Sequence, residues 1–281
     1  MNTEAPSIEP QSDGAPRAAG AAGAPRARER ELPDGRRAVY RHPLPVRVWH
    51  WINALCVLVL VPSGLQILNA HPALYWGEAS SFAHPWITFS AFGSIGDESA
   101  FPSWITLPSW QDLAAGRSWH FFFAWIFVAS GLAYVIYALA SRRLESTLWP
   151  SRRELRGIGR SIRDHLRLRF PEGEAARRYN LLQKLSYLAV LFIVLPLMIV
   201  TGLTMSPGLD ARLHFLTEIF GGRQSARTIH FLTACALVLF IVVHLVAMVA
   251  AGPLNELRSI VTGWFVLARR REARNAEEEI G

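Results

Sequence analysis

Two histidines, His230 and His244, interrupt an apolar run at residues 229–251 that carries no Lys, Arg, Asp or Glu. An ionisable side chain is costly in such a segment, so its presence indicates a function. Imidazole can bind a metal, relay a proton or form a hydrogen bond between helices. At about 100° per residue, a spacing of 14 residues places both rings on one helix face, about 21 Å apart along the axis. Rings so far apart cannot share one metal ion, but each could serve a separate site.

Four apolar stretches are long enough to cross a bilayer as helices and lack Lys, Arg, Asp and Glu. They are residues 51–70, 119–140, 185–205 and 229–251. One such run could be a buried core helix, but four of them favour membrane spans. We therefore predict an all-α fold, an integral membrane four-helix bundle. Its spans are expected at about residues 49–70, 119–140, 185–205 and 229–251.

The basic residues predict the orientation of these spans. Lys and Arg number 8 before His50, 12 at residues 141–184 and 5 after Ala251, against 1 and 3 in the other two loops. Positive charge is enriched in cytoplasmic loops, so both termini are expected in the cytoplasm of a bacterial inner membrane. The loop at residues 71–118, rich in Trp, Phe, Pro and Gly, is then outside. We expect membrane lipid, and no nucleic acid, around this basic chain.

The two ends of the chain differ from the spans in composition. Residues 1–38 are low-complexity Ala, Pro, Gly and Arg, which predicts a disordered cytoplasmic tail. Residues 39–270 are predicted to form the membrane domain. They end in an amphipathic helix at 254–270, where apolar residues alternate with arginines. Residues 271–281 are predicted to be a charged tail.

Four of the nine histidines fall within or at the start of a predicted span, and we expect the others to be exposed. The others are His42, His71, His84, His165 and His214. The alternating topology places His120 at the depth of His230, and His50 at the depth of His244. Two stacked bis-histidine pairs in a four-helix bundle are expected of two haem b groups, held non-covalently because C-x-x-C-H is absent. A proton relay or interhelical hydrogen bonds would not require pairing at equal depth.

Arginine precedes three of these histidines by three residues, in the segments RVWH, RSWH and RTIH. The arginines are Arg47, Arg117 and Arg227, and a guanidinium one helical turn from an iron ligand can pair with a haem propionate. Arg47 is equally well explained as a cytoplasmic flanking residue. Positive charge is scarce outside, so propionate pairing is favoured for Arg117 and Arg227.

Glycines recur on the faces that carry the histidines. Gly64 lies 14 residues after His50, at the predicted depth of the outer pair, and Gly131 lies 11 residues after His120. A missing side chain there would let the edge of a flat macrocycle approach the backbone. Glycine is common in membrane helices, so each position is informative only in combination with the histidines.

These features resemble the bacterial cytochrome b561-type family, which includes the cytochrome b subunits of nickel–iron hydrogenase, formate dehydrogenase (gamma) and thiosulfate reductase. The matching segments are RVWHWINALCVLVLVPSG, WHFFFAW, YNLLQK and the H-x13-H of the fourth span, together covering about residues 41–266. The resemblance implies that His50 and His244 hold a cytoplasmic-side haem, and that His120 and His230 hold an outer one. The long outer loop is most similar to that of thiosulfate reductase-type subunits, and the N-terminal extension is atypical.

The resemblance also implies a quinone site where the third span begins. Asn180, Gln183 and Lys184 share one helix face there and could hydrogen-bond a quinone carbonyl and carry protons to it. From the residues alone, a polar helix entrance with Lys184 as an interfacial anchor is an equally good explanation.

The sequence therefore predicts an electron-transfer subunit rather than a catalytic one. It would connect a membrane quinone pool to a periplasmic oxidoreductase subunit of molybdenum or iron–sulfur type. A stand-alone cytochrome b acting as a superoxide:quinone oxidoreductase is the alternative, and the long outer loop argues mildly against it. A haem-free transporter or sensor with a histidine relay is a third interpretation, which a colourless purified protein would favour.

Overall fold

The computed structural model describes residues 28–89, 100–167 and 179–267. Four helices in these ranges are long and apolar enough to cross a membrane, which confirms the four predicted spans. They are α1 (Leu44–Asn69), α2 (Leu113–Ala140), the third span (Leu181–Thr204) and α9 (Arg223–Ala251). The third span consists of α5 (Leu181–Ala189), a π-helical segment (Val190–Val194) and α6 (Leu195–Thr204).

Each span begins several residues before its apolar run, at a local helix-start signal. Asp112 caps α2 by accepting a 2.9 Å hydrogen bond from the backbone N–H of Ala115. Pro43 precedes α1, which has proline in its first turn. Gly222, at φ +116°, precedes α9. The apolar run therefore marks the part of each helix that can lie in lipid. Capping residues mark where the helix starts.

The spans pack most closely in two pairs, α1 with α2 and α6 with α9. We call the boundary between the two pairs the seam. We call the end where α1 begins and α9 finishes the terminal end, and the opposite end the loop end. Within the described ranges, five shorter α-helices, a 3-10 turn (Ser103–Ile105) and a π-helical segment (Leu144–Leu148) connect or follow the spans. The five α-helices are α3 (Arg152–Arg156), α4 (Ile158–Leu166), α7 (Pro207–Asp210), α8 (His214–Ile219) and α10 (Pro253–Thr262).

A three-stranded antiparallel sheet at the terminal end was not predicted. It joins β1 (Glu29–Glu31), β2 (Arg37–Tyr40) and β5 (Trp264–Val266), with β2 in the centre. The prediction of disorder is thus wrong for residues 28–38, because a Pro-Asp-Gly turn reverses the chain and β2 pairs with β5. Residues 1–27 lie outside the described ranges.

The predicted C-terminal helix at 254–270 is also shorter than expected. It ends at Thr262, because Gly263 adopts φ +88° and turns the chain into β5. A Cβ on Gly263 would lie 2.5 Å from Tyr40 Cε2 and 2.8 Å from the His42 carbonyl oxygen. The close approach of these segments therefore requires glycine. The predicted charged tail at 271–281 lies outside the described ranges.

The loop after α1 is folded against the start of α9. It contains a short hairpin of β3 (Ala73–Leu74) and β4 (Ile87–Thr88). The carbonyl of Gly77 accepts hydrogen bonds from the backbone N–H groups of Gln224 (3.0 Å) and Ser225 (3.2 Å). Two of the unpaired N–H groups at the start of a membrane helix are satisfied in this way.

We predict that Gly263→Ala lowers the free energy of unfolding by about 1–3 kcal/mol, because the new Cβ forces a strained backbone against Tyr40. The measurement is thermal unfolding of the full chain in detergent. The control is Gly159→Ala in α4, where an added Cβ meets nothing within 4 Å. Equal melting temperatures for wild type and Gly263→Ala would contradict this account of the turn.

Candidate functional site

The two imidazoles nearest the loop end face each other across the seam. The ring centroids of His120 on α2 and His230 on α9 lie 6.4 Å apart, with an interplanar angle of 66°. Metal–imidazole bonds are about 2 Å long, so two rings on opposite sides of one metal ion have centroids about 6 Å apart. The spacing therefore suits bis-imidazole ligation of an iron between the helix pairs.

His120 is oriented by groups on α1. Its Nδ1 lies 3.1 Å from the carbonyl oxygen of Leu60 and 3.1 Å from Oγ of Ser63. A carbonyl oxygen can only accept, so Nδ1 carries the proton and Nε2 presents a lone pair. A Cβ on Gly64 would lie 3.4 Å from Cε1 of this ring. The imidazole thus packs in the space left by a glycine. The hydrogen bonds of Nδ1 hold it in one tautomer, as a metal-binding imidazole requires.

His230 has the same kind of support from α6. Its Nδ1 lies 3.0 Å from Oγ1 of Thr201, whose hydroxyl donates to the Leu197 carbonyl at 2.6 Å. The hydroxyl therefore accepts from Nδ1–H, which again leaves Nε2 with a lone pair that could bind a metal. A Cβ on Gly202 would lie 3.3 Å from Cε1 of His230. A hydroxyl residue followed by glycine thus supports each imidazole of this pair.

The second pair, His50 and His244, lies at the terminal end. The two side chains are close enough to interact electrostatically. The His50 ring meets Trp51 edge-on at 5.3 Å, and the His244 ring stacks on Phe240 at 6.1 Å. Nδ1 of His50 is buried without a hydrogen-bond partner among the described residues. The structure thus brings the loop-end rings opposite each other across the seam and places the terminal-end pair within electrostatic range.

The three arginines proposed for propionates have different surroundings. The two terminal NH₂ groups of Arg227 donate hydrogen bonds to the backbone carbonyls of Ala73 (3.1 Å) and His71. These hydrogen bonds hold the loop after α1. Arg117 is exposed at the loop end, with its guanidinium carbon 5.6 Å from the Phe121 ring centroid. Arg47 donates to the Val261 carbonyl at the end of α10. The contacts of Arg227 account for that residue without a propionate.

The three residues proposed for quinone binding also have structural partners. Asn180 and Gln183 form a capping box at the start of α5: each side-chain oxygen accepts from the other residue's backbone N–H, at 2.9 and 3.2 Å. Lys184 is buried, and its Nζ donates to Glu154 Oε1 at 2.7 Å. The hydrogen bond from Lys184 lowers the pKa of Glu154 to about 2. These contacts join the loop at 141–180 to the third span.

Sequence reasoning missed three residues around the histidines. His42 was expected to be exposed but is only 8% exposed. It lies in the segment after β2, where its backbone N–H donates to the Gly263 carbonyl. Burial lowers the pKa of His42 to about 3, with further contributions from Arg41 and Arg143. Thr201 and Gly202 were also missed, although the segment TG in the third span repeats the SG at Ser63.

The two glycines predicted to leave room for a macrocycle, Gly64 and Gly131, have different surroundings. Gly64 lies against His120, at the depth predicted for it. A Cβ on Gly131 would meet nothing within 4 Å among the described residues. The contacts of the described residues therefore give Gly131 no role in positioning an imidazole, whereas Gly64 has one.

A family model described as prokaryotic cytochrome b561 matches residues 41–263, which include all four spans. The chain is 31% identical over 212 residues to the putative protein-methionine-sulfoxide reductase subunit YedZ1 of Azospira oryzae, covering 75% of this chain and 91% of the relative. It is 26% identical over 260 residues to the probable Ni/Fe-hydrogenase B-type cytochrome subunit of Bradyrhizobium diazoefficiens, covering 89% and 90%. The corresponding subunit of Cupriavidus necator is 25% identical over 242 residues, covering 81% and 87%.

We predict that Glu154→Gln lowers the free energy of unfolding at neutral pH by about 1–2 kcal/mol, because it leaves the buried Lys184 ammonium without its carboxylate. The depressed pKa of Glu154 means that the ion pair stabilises fully above about pH 4.5 and is lost as pH falls towards about 2. The stability difference from wild type should therefore shrink as pH falls through this range. The measurement is thermal unfolding between about pH 7 and about pH 3.

The matched control is Glu31→Gln in the exposed strand β1, which should unfold like wild type. A Glu154→Gln difference that stays constant down to the lowest pH would contradict the ion-pair assignment.

Proposed function

Because the chain belongs to the prokaryotic cytochrome b561 family, we propose that it carries electrons across a bacterial inner membrane through two b haems. The chain is a multi-pass membrane cytochrome b, related to electron-transfer subunits of oxidoreductases. The finer proposal is that electrons pass between a quinone pool on the cytoplasmic side and a periplasmic oxidoreductase. The observation that carries the di-haem proposal is the loop-end imidazole pair, with ring centroids 6.4 Å apart in the seam.

His120 and His230 would hold the outer haem. A haem iron supplies reversible one-electron redox chemistry when bound. The protein fixes both imidazoles with Nδ1–H donated and Nε2 presented, through Leu60, Ser63 and Thr201. A hydrogen bond from Nδ1 makes an imidazole a more basic ligand and fixes its orientation. These residues therefore tune affinity and potential.

His50 and His244 would hold the inner haem at the terminal end. Helix α9 carries one ligand of each pair, so both haems would lie along the same helix face. The distribution of Lys and Arg supports a cytoplasmic location for the terminal end and a periplasmic location for the loop end. Electrons would then cross the membrane from one pair to the other.

Quinone binding near the inner pair is supported by the polar entrance of the third span. The capping box of Asn180 and Gln183 uses their amide oxygens, and the amide N–H group of Gln183 could donate to a quinone carbonyl. The ion pair of the buried Lys184 with the partly exposed Glu154 places a proton donor and an acceptor next to that entrance. We propose that a quinone exchanges electrons and protons here.

A periplasmic catalytic subunit of molybdenum or iron–sulfur type is the proposed partner at the loop end. Two relatives are named as subunits of a hydrogenase and one as a subunit of a methionine-sulfoxide reductase, which supports such an assembly. The loop after α1 also exposes large aromatic side chains, the residue class enriched at protein interfaces. They include Trp76, Phe82, Trp86, Trp104 and Trp110.

We predict two b haems per purified chain, and one each in His50→Ala and His120→Ala, because each variant removes an axial ligand of one pair. The measurement is a pyridine haemochrome assay with a dithionite-reduced minus oxidised spectrum. The control is His84→Ala, an exposed loop histidine that should leave both haems in place. A colourless wild-type chain after haem-supplemented expression would overturn the proposed function.

We also predict that Ser63→Ala together with Thr201→Val weakens haem binding at the outer pair about tenfold or more, because both imidazoles lose a hydroxyl partner. The midpoint potential of that haem should change while that of the inner haem stays the same. Spectroelectrochemical titration measures both. The control is Ser141→Ala at the end of α2, an exposed residue whose hydroxyl donates to the backbone carbonyl of Tyr137. Unchanged potentials in the double variant would contradict the positioning role.

A further inference from the structure

Several buried polar atoms without hydrogen-bond partners belong to residues of two segments that meet at the terminal end. Among the described residues these include Nδ1 of His42, Nε of Arg47, Nε of Arg258 and Oγ of Ser259. His42 is 8% exposed and Ser259 is fully buried. Buried polar groups are nearly always hydrogen-bonded in native proteins, so a group of them in one place indicates a polar ligand.

Backbone contacts bring these side chains together from distant parts of the chain. The N–H groups of Arg41 (2.8 Å) and His42 (3.3 Å) both donate to the Gly263 carbonyl, and the N–H of Gly263 donates to the Ser259 carbonyl at 2.8 Å. The guanidinium of Arg47 donates to the carbonyl of Val261. The segment before α1 is therefore packed on the last turn of α10.

The chemistry of the group favours an anion. His42 lies within electrostatic range of Arg41, Arg143 and Arg47. The carboxylate of Glu256 is bonded to Arg41 at 3.3 Å. Nε–H of Arg47 and the hydroxyl of Ser259 can donate, and a neutral histidine ring always has one N–H to donate. A carboxylate accepts hydrogen bonds from such donors, and these bonds are strongest when the donor is a charged guanidinium.

The position of these donors near His50 indicates which anion they would bind. His42 is close enough to His50 to interact with it electrostatically, and His50 is a proposed axial ligand of the inner haem. A haem held by His50 and His244 carries two carboxylates that must reach the end of the bundle. The donors of His42, Arg47 and Ser259 lie at that end.

We propose that His42, Arg47 and Ser259 form a carboxylate site that binds the propionates of the inner haem. This rests on the proposed function, since it requires a haem at the inner pair. His42 and Ser259 are positioning residues that hold the macrocycle by its edge, whereas the imidazoles hold its iron. The strand pair β2–β5 and the turn at Gly263 then serve to close the carboxylate site over the inner haem.

The experiment compares haem b with its dimethyl ester, in which both propionates are blocked. The full-length wild-type and His42→Ala chains are loaded with each haem in detergent. Haem loss to excess apomyoglobin is then followed, and the inner haem is identified as the one that His50→Ala lacks. With haem b, we expect His42→Ala to lose its inner haem about tenfold or more faster than wild type, and the outer haem at an unchanged rate.

With the dimethyl ester, wild type should lose its inner haem as fast as His42→Ala does, because His42 then has no carboxylate to bind. A tenfold difference that persists with the ester would mean that His42 acts on the fold alone, and would overturn the proposal. Equal loss of the inner haem b by wild type and His42→Ala would also overturn it, while leaving the proposed function intact. The absence of any haem in wild type would instead be the failure of the proposed function.

His42→Gln keeps a side-chain N–H donor and should restore part of the retention of haem b. If His42→Ala does not fold, the wild-type comparison of haem b with the ester still decides: equal retention at the inner pair would overturn the proposal. The control variant is His84→Ala, an exposed loop histidine, which should behave like wild type with both haems.

Discussion

Four imidazoles must be kept inside an apolar bundle, in the seam between two pairs of helices, and the rest of the structure serves this constraint. Lipid and apolar side chains offer an imidazole no hydrogen-bond partner, so each ring must find its partner within the bundle. At the loop end, hydroxyl residues and a helix carbonyl meet this need, and the adjacent glycines leave room for the rings. One ring nitrogen is thereby used for support, which leaves the other for the proposed ligation.

The two ends of the bundle hold their imidazoles differently. At the loop end, support comes from within the helices, from Ser63 on α1 and Thr201 on α6. At the terminal end, His42 lies within electrostatic range of His50, in the segment between β2 and α1 that packs on the end of α10. The small sheet, although outside the membrane helices, therefore holds this segment near the terminal-end pair.

Much of this was predictable from the sequence, and the failures have physical causes. The spans, the depth pairing of the histidines and the place of Gly64 follow from hydropathy and helical periodicity, which are local. The strands at 29–40 were missed because composition outweighed a Pro-Asp-Gly turn, and because β2 is stabilised by pairing with β5 from the other end of the chain. The same pairing holds His42 against Gly263 and buries it. Asn180 and Gln183 form a capping box at the start of α5, so polar residues at a span entrance can also serve to start the helix.

Helix α9 carries His230 and His244 on one unbroken helix. The distance between these two positions is thus set by hydrogen bonds within a single helix and does not depend on how the four spans pack. In the proposed di-haem arrangement, tilting or sliding of α9 as one rigid body would leave the spacing of its two ligands unchanged. Helix α9 would then act as a molecular ruler for electron transfer.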